Sequence, residues 1–117
     1  EYIRKKYNAE PGYITMNLPL MVDTCIQLGI KNPIICSSIN KIGFRMSGSI
    51  GQYEQYLNSS IEFRPIAMQC LAAGALKPEE AMEYVCRFPK IESILFGASS
   101  KAHIKQTNDL IVCFSNR

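Results

Sequence analysis

Residues 65–86 read PIAMQCLAAGALKPEEAMEYVC, and this stretch decides the fold. It opens with an apolar run, Pro65–Cys70, which predicts a buried strand, and continues through small residues to Gly74. Pro78 then marks the start of a helix, because proline is preorganised for the first helical position. Two glutamates follow in the first turn, where carboxylates favour the positive end of the helix dipole. The stretch is therefore one strand–loop–helix unit.

The same order of elements recurs on both sides of this unit. Apolar runs that are short and mostly continuous predict strands, and spacings of three and four residues between apolar positions predict helices. The predicted strands are Gly12–Met16, the run NPIICSSI at residues 32–39, Pro65–Cys70 and Ile91–Phe96. The predicted helices begin near Pro19, at the segment QYEQYLNSS (residues 52–60), at Pro78 and at Lys101. Gly29 is a plausible left-handed cap at the end of the first of these helices.

Strands that alternate with helices predict an α/β fold with a parallel sheet. We expect four βα units in one domain over residues 12–117, preceded by a linker or helix end at residues 1–11. Four units can form a small open sheet or half of an eight-stranded barrel. A complete barrel usually needs about 250 residues, and this chain has 117.

Composition and charge narrow the possible partners. The chain is 47% hydrophobic and 20% charged, with a net charge of +3. Its cations are scattered, and only Arg4–Lys6 form a run, whereas nucleic-acid binders usually concentrate basic residues on one face. No apolar run approaches the roughly 18 residues of a membrane span. We therefore expect neither a nucleic-acid partner nor a membrane, and a cytoplasmic location.

The five cysteines are odd in number and contain no C-x-x-C pair. Their neighbours are mostly apolar, which is typical of reduced, buried thiols that pack as small hydrophobes in a cytosolic protein. With a single histidine and no ligand spacing, the sequence predicts no metal site. The cysteines are at positions 25, 36, 70, 86 and 113.

A second stretch, IESILFGASSKAHI at residues 91–104, carries the strongest candidate site. A strand that ends in a small-residue turn and leads into a helix can present backbone N–H groups to an anion. Gly97 permits close approach of a ligand, and Lys101 adds positive charge. The alternative is that Ser99 or Ser100 simply caps the helix, for which serine is well suited.

Residues 71–104, LAAGALKPEEAMEYVCRFPKIESILFGASSKAHI, resemble the C-terminal part of the aldo/keto reductases, especially their bacterial and archaeal branch. The matching pieces are a leucine–small–glycine loop, a helix that starts PEEA, a proline-bounded loop, an apolar strand and a GxSS-type turn. These pieces are Leu71–Gly74, Pro78–Ala81, Pro89, Ile91–Phe96 and Gly97–Ser100. The resemblance extends over about residues 12–114 and is most specific between 65 and 105.

The resemblance implies that the chain corresponds to strands five to eight of a (β/α)8, or TIM, barrel. It also implies a nicotinamide cofactor, NADP or NAD, whose phosphates bind at the turn formed by Gly97, Ala98, Ser99, Ser100 and Lys101. Leu71 and Gly74 would pass along the pyrophosphate, unless their loop is small only for packing. Asn17 would bind the nicotinamide carboxamide, or would only cap a helix, which asparagine also favours.

The family's catalytic tetrad lies in the first four units, and none of those motifs is present here. We therefore expect cofactor binding without hydride transfer by this chain, and an NAD(P)-dependent oxidoreductase as the larger protein. The chain begins at Glu1 rather than Met, which favours a start inside a longer sequence. A missing N-terminal half-barrel or a homo-oligomer would complete the barrel. The alternatives are a non-redox phosphate-binding barrel, such as an aldolase or phosphosugar enzyme, or a non-enzymatic domain of barrel ancestry.

Polar residues after the second strand are weaker candidates. Ser37, Ser38 and Asn40 follow it at the end where barrel active sites gather, so they are predicted to lie near a pocket. The glycine-rich loop Lys41–Gly51 either folds over a ligand or is an ordinary exposed connection.

Overall fold

Four parallel strands alternate with helices in the computed structural model, which describes residues 1–115. The strands are β1 (Gly12–Thr15), β2 (Ile34–Ser38), β3 (Arg64–Met68) and β4 (Ser93–Ile94). The helices are α1 (Tyr2–Tyr7), α2 (Leu18–Gln27), α3 (Ile50–Leu57), α4 (Pro78–Cys86) and α5 (Lys101–Ser115), with a short 3-10 turn at Ala72–Gly74. Asn116 and Arg117, the last two residues of the predicted domain, lie outside the described residues.

The strands form one sheet in the order β1-β2-β3-β4, with every neighbouring pair parallel. Ile14 pairs with Cys36, Cys36 with Ile66, and Ile66 with Ser93, so these residues form one row across the sheet. Each strand thus pairs with the next strand along the chain, with a helix between them. The predicted α/β fold of four βα units is confirmed.

The two faces of the sheet differ in what lies on them. On one, which we call the covered face, Ile35 and Ala67 are 0% exposed and share a core cluster with residues of α2, α3 and α4. The other, the open face, carries the row that contains Ile14, and side chains on it alternate with those of the covered face. There Ile14 is 74% exposed and Leu95 is 60% exposed. The covered face is therefore buried beneath helices. The open face is exposed at the edges of the sheet, through Ile14 and Leu95, and buried at Cys36 in β2, which is 8% exposed.

Local sequence explains how α2 begins and ends. Asn17 caps its first turn, since the side-chain Oδ1 accepts from the Leu20 N–H at 3.2 Å. At the other end Gly29 has a φ of 72°, and the Ile30 N–H donates to the Cys25 carbonyl at 2.9 Å. This is a Schellman motif with glycine in the left-handed position, as the sequence predicts.

Buried Tyr53 connects two of the βα units. Its hydroxyl donates to the Met16 carbonyl at 2.8 Å and accepts from the Leu18 N–H at 3.1 Å. The ring of Tyr53 is 0% exposed, so its polar atom is satisfied where it is buried. Tyr53 thereby attaches α3 to the junction of β1 and α2.

Several predicted boundaries are wrong by one or two residues, as for β3, which is predicted at Pro65–Cys70 and spans Arg64–Met68. The strand predicted at Ile91–Phe96 is paired only over Ser93–Ile94, although the Leu95 N–H still donates to the Ala67 carbonyl at 2.8 Å. β4 lies at one edge of the sheet, where short strands are common; β1, at the other edge, pairs over four residues. Helix α3 starts at Ile50, two residues earlier than predicted, because the Ser49 side chain caps it by accepting from the Gln52 N–H.

The cysteine prediction is partly wrong. None of the five cysteines forms a disulfide, but only Cys25, Cys36 and Cys70 are buried, whereas Cys86 is half-buried and Cys113 is exposed. Cys113 is on the outer surface of α5, where its apolar neighbours in sequence, Val112 and Phe114, are also exposed, at 66% and 36%.

Across residues 1–115, none of the helices combines the length and the apolar character that crossing a membrane requires.

Candidate functional site

An apolar pocket of about 650 Å³ opens beside the C-terminal ends of β3 and β4. Ligands of parallel α/β sheets bind at this end of the strands. Three segments line it: the loop after β2, the end of β3 with the loop that follows, and the end of β4. Its lining residues are Phe44, Arg45, Met68, Gln69, Cys70, Leu71, Ala73, Gly74, Leu95, Phe96 and Gly97.

A second cavity of about 390 Å³ lies between the start of α4 and the first turns of α5. We call it the polar cleft after the side chains of Ser99, His103, Gln106 and Thr107, although most of its surface is apolar. It shares Leu71 and Gly97 with the apolar pocket, so the two cavities adjoin. Its lining residues are Leu71, Pro78, Gly97, Ala98, Ser99, His103, Gln106 and Thr107. Together the two cavities are lined by segments that extend from the loop after β2 to the first turns of α5.

The turn before α5 is held by its serines. Ser100 caps the helix, since its Oγ accepts from the His103 N–H at 3.2 Å. Ser99 Oγ lies 3.2 Å from His103 Nδ1. The capping alternative is thus realised by Ser100, while the first two N–H groups of α5 have no partner within a helix.

Gly97 is a glycine that the fold itself does not require. Its φ is not positive, and a Cβ built there would meet nothing within 4 Å. The turn from Gly97 to Lys101 is exposed along its whole length. The backbone at Gly97 therefore faces open space, from which a ligand can approach it closely.

The loop after β3 contains an unusual concentration of left-handed backbone. Gln69, Ala72 and Ala73 have φ values of 54°, 50° and 55°, and Gly74 follows at 88°. For residues other than glycine, this conformation costs about 1–2 kcal/mol each. Gly74 suits its position, whereas the three residues with a Cβ are strained. Strain of this kind clusters at binding and catalytic sites.

Buried Asn40 joins this loop to the loop after β2. Its Oδ1 accepts from the Phe44 N–H at 2.8 Å, and its Nδ2 donates to the Phe44 carbonyl at 2.9 Å and to the Gln69 carbonyl at 3.2 Å. Asn40 is 0% exposed, so these bonds form away from water. One side chain thus fixes the backbone of two residues that line the apolar pocket.

The structure brings together five of the eight residues predicted to bind a cofactor. Leu71, Gly74 and Gly97 line the apolar pocket, and Ala98 and Ser99 join Leu71 and Gly97 around the polar cleft. Among the described residues, the other three contribute to neither cavity. Ser100 is the cap of α5, Lys101 is its exposed first residue, and Asn17 is the cap of α2.

The weaker candidates after β2 have other positions. Ser37 is buried on the covered face, and its hydroxyl has no hydrogen-bond partner among residues 1–115. Ser38 donates to Gln69 Oε1, and Asn40 holds the two loops. None of the three lines either cavity. Instead the loop beyond them, through Phe44 and Arg45, forms one wall of the apolar pocket.

The pocket offers no nucleophile at neutral pH. Cys70 lines it, but burial raises the pKa of the Cys70 thiol to about 12, and the thiolate is the reactive form. Within the described part of the chain, no group of three or more His, Cys, Asp or Glu residues is placed to hold a metal ion.

The loop Lys41–Gly51, for which a place over a ligand was one of two predictions, supplies Phe44 and Arg45 to the pocket wall. Sequence reasoning did not single out these two residues, and it missed Gln69. Their place at the pocket depends on left-handed backbone at Arg45 and Gln69 and on hydrogen bonds from Asn40. The run Asn40–Phe44 contains one signal, since asparagine often bonds to backbone a few residues along the chain.

Comparison with family models, with curated proteins and with solved structures finds no match for this chain. The family resemblance of residues 71–104 therefore stays a hypothesis. What supports a function is the geometry of the apolar pocket and the polar cleft.

Proposed function

We propose that this chain binds the phosphates of a nicotinamide dinucleotide, NADP or NAD, as the cofactor-holding part of an aldo/keto reductase-like oxidoreductase. One observation carries the proposal. Five residues selected from the sequence for cofactor contact, Leu71, Gly74, Gly97, Ala98 and Ser99, line two adjoining cavities at the C-terminal end of the sheet. Such cavities are the usual ligand sites of α/β sheets.

The residues present fit a phosphate group. Open space at Gly97 allows an oxygen atom to approach the backbone, and the N-terminus of α5 supplies N–H groups and the positive end of the helix dipole. Lys101 adds a full charge at the same end. Ser100 is used as a cap, but this leaves the N–H groups of the first two helical residues for an anion.

The proposal assigns binding, and not hydride transfer, to this chain. The nicotinamide ring supplies the hydride when the cofactor is bound, and the acid–base groups belong by resemblance to four further βα units. The open face fits such an arrangement, since apolar side chains such as Ile14 and Leu95 lie exposed on it. Another half-barrel, or a second copy of this chain, would cover them. The five cysteines, none of which is in a disulfide, favour a reducing, cytoplasmic location.

Titration with NADPH, followed through the fluorescence of the reduced nicotinamide, tests this function. Wild-type protein should bind NADPH. Ser99→Glu should weaken binding by about tenfold, because a carboxylate beside the phosphates repels them by about 1 kcal/mol or more. Ser60→Glu is the matched control, since it places the same charge on an exposed serine in the loop between α3 and β3, and should leave binding unchanged.

The outcomes separate the proposal from its alternatives. Equal weakening by both substitutions, or no NADPH binding at millimolar concentration, would contradict it. Inorganic phosphate that binds at the turn and is lost in Ser99→Glu, without any binding of NADPH, would favour a non-redox phosphate-binding barrel. An absence of both ligands would favour a non-enzymatic domain.

A further inference from the structure

Arg45 is a cation at the wall of the apolar pocket without a counter-ion. It is exposed and lines the pocket, yet within residues 1–115 it forms no ion pair, whereas Arg4 and Arg64 each have a glutamate partner. Its guanidinium carbon lies 5.2 Å from the centroid of the Phe44 ring. This contact restrains the side chain while its N–H donors remain directed to solvent or a ligand.

The backbone that carries Arg45 is fixed from three directions. Asn40 holds both the N–H and the carbonyl of Phe44, at 2.8 and 2.9 Å. The Met46 N–H donates to the Gly43 carbonyl, and the Ser47 N–H donates to the Met16 carbonyl at 2.8 Å. Arg45 therefore stands on a loop that is anchored to the ends of β1 and β2, and its position is set before any ligand arrives.

Strained backbone is also found at the apolar pocket. Arg45, Gln69 and Ala73 have left-handed backbone, with φ values of 55°, 54° and 55°, and all three line the apolar pocket. Each costs about 1–2 kcal/mol relative to ordinary backbone. A fold without a use for this geometry would gain stability by relaxing it, so the strain supports a binding role.

The rest of the wall is apolar with one neutral donor. Phe44, Met68 and Leu95 contribute hydrophobic surface. The Gln69 Oε1 accepts from the Ser38 hydroxyl, which leaves the two Nε2 hydrogens of that amide as donors. A single positive charge, an amide donor and apolar walls are complementary to a monoanion on a hydrophobic body.

We propose that the apolar pocket binds a small carboxylic acid with an aliphatic or aromatic body, and that Arg45 selects for its carboxylate. A carboxylate matches one guanidinium in charge and in its two-pronged geometry, whereas a phosphate monoester carries nearly two charges at neutral pH. This inference rests on the proposed function in one respect: the acid is then the carbonyl substrate, an oxo acid, at the Phe44 and Arg45 wall of the apolar pocket. The dinucleotide would pass along the opposite segments, through Gly74 and Gly97, to the polar cleft.

Competition between matched ligands tests the inference on the whole chain. By NMR titration, octanoate should bind about tenfold more tightly than octanamide, which has the same body without the charge. Arg45→Met keeps an apolar stem and should reduce this ratio to about one. Arg87→Met is the matched control, because Arg87 is stacked in the same way, 5.5 Å from the Tyr84 centroid, outside the lining of the apolar pocket, and should preserve the ratio.

The result that overturns the inference is equal binding of octanoate and octanamide by the wild-type protein, or an unchanged ratio in Arg45→Met. Tighter binding of octyl phosphate than of octanoate would also overturn it, in favour of a phosphate ligand. The proposal of dinucleotide binding and the proposal of carboxylate binding can be contradicted independently of each other. Ser99→Glu should lower the affinity for NADPH and leave the preference for octanoate over octanamide intact. Arg45→Met should abolish that preference and leave the affinity for NADPH intact. Circular dichroism checks that each variant is folded.

Discussion

The two faces of the sheet have similar side chains and opposite surroundings. On the covered face Ile35 is 0% exposed beneath the helices, whereas on the open face Ile14, in the neighbouring strand, is 74% exposed. Burying a side chain of this size contributes about 1.5–3 kcal/mol. Both faces carry apolar side chains. They differ in exposure because helices of this chain pack against the covered face. The open face is an apolar surface that a partner would stabilise.

The largest difference should appear when one isoleucine on each face is shortened. Ile35→Ala should lower the free energy of unfolding by about 2–5 kcal/mol, because it leaves a cavity in the core. Ile14→Ala should change it by less than about 0.5 kcal/mol. Urea unfolding, at a concentration where the chain is monomeric, measures both. Equal losses in the two variants would show that the open face is buried in solution, and would break the comparison.

Association should report directly on the open face. At rising concentration we expect the chain to self-associate through this face, and Ile14→Lys should weaken association by about 2 kcal/mol, since a charge replaces buried apolar surface. Size-exclusion chromatography with light scattering measures it. Ile26→Lys, on the exposed surface of α2 at 52% exposure, is the control. A monomer at every concentration would instead favour a self-contained open-sheet domain.

The smallest of these effects is a dependence of stability on pH, which compares a buried thiol with an exposed one. Burial raises the pKa of Cys70 from 9.0 to about 12. Between these values the unfolded chain has lost the proton that the folded chain keeps, so stability falls as pH rises, by about 1.4 kcal/mol per pH unit near pH 10. Burial raises the pKa of Cys25 and Cys36 in the same direction.

Urea unfolding at pH 8, 9 and 10 measures this slope. Cys70→Ala should make it shallower, and Cys113→Ala should leave it unchanged, because Cys113 is exposed. An identical slope in the wild-type protein and in Cys70→Ala would show that Cys70 titrates normally in the folded state.

The order of the elements could be predicted from sequence because each is encoded locally. Pro78 starts α4, Gly29 ends α2, and the apolar runs locate the strands. The length of β4 could not be predicted in this way, because a ladder depends on the backbone of a neighbouring strand that is distant in sequence. Leu95 still bonds to Ala67 of β3, but the ladder ends at Ile94.

The residues of the candidate site likewise divide into those that local sequence predicts and those that it does not. Leu71, Gly74 and Gly97 were predicted from loop composition and from a family resemblance, and they line one pocket. Arg45 and Gln69 could not be predicted, because a left-handed arginine or glutamine has no sequence signature of the kind that glycine provides. Asn40 was assigned to the pocket, but it lies behind the wall and connects segments distant in sequence.

The order β1-β2-β3-β4 also has a consequence for how the chain folds. Every strand pairs with the strand of the next unit, roughly 20 to 30 residues along the chain. No pairing has to wait for a distant segment, so the sheet can grow one βα unit at a time, much as a repeat protein propagates from its nucleus. The unit of β4 and α5 has the shortest strand, and is therefore the one we expect to join last and to open first.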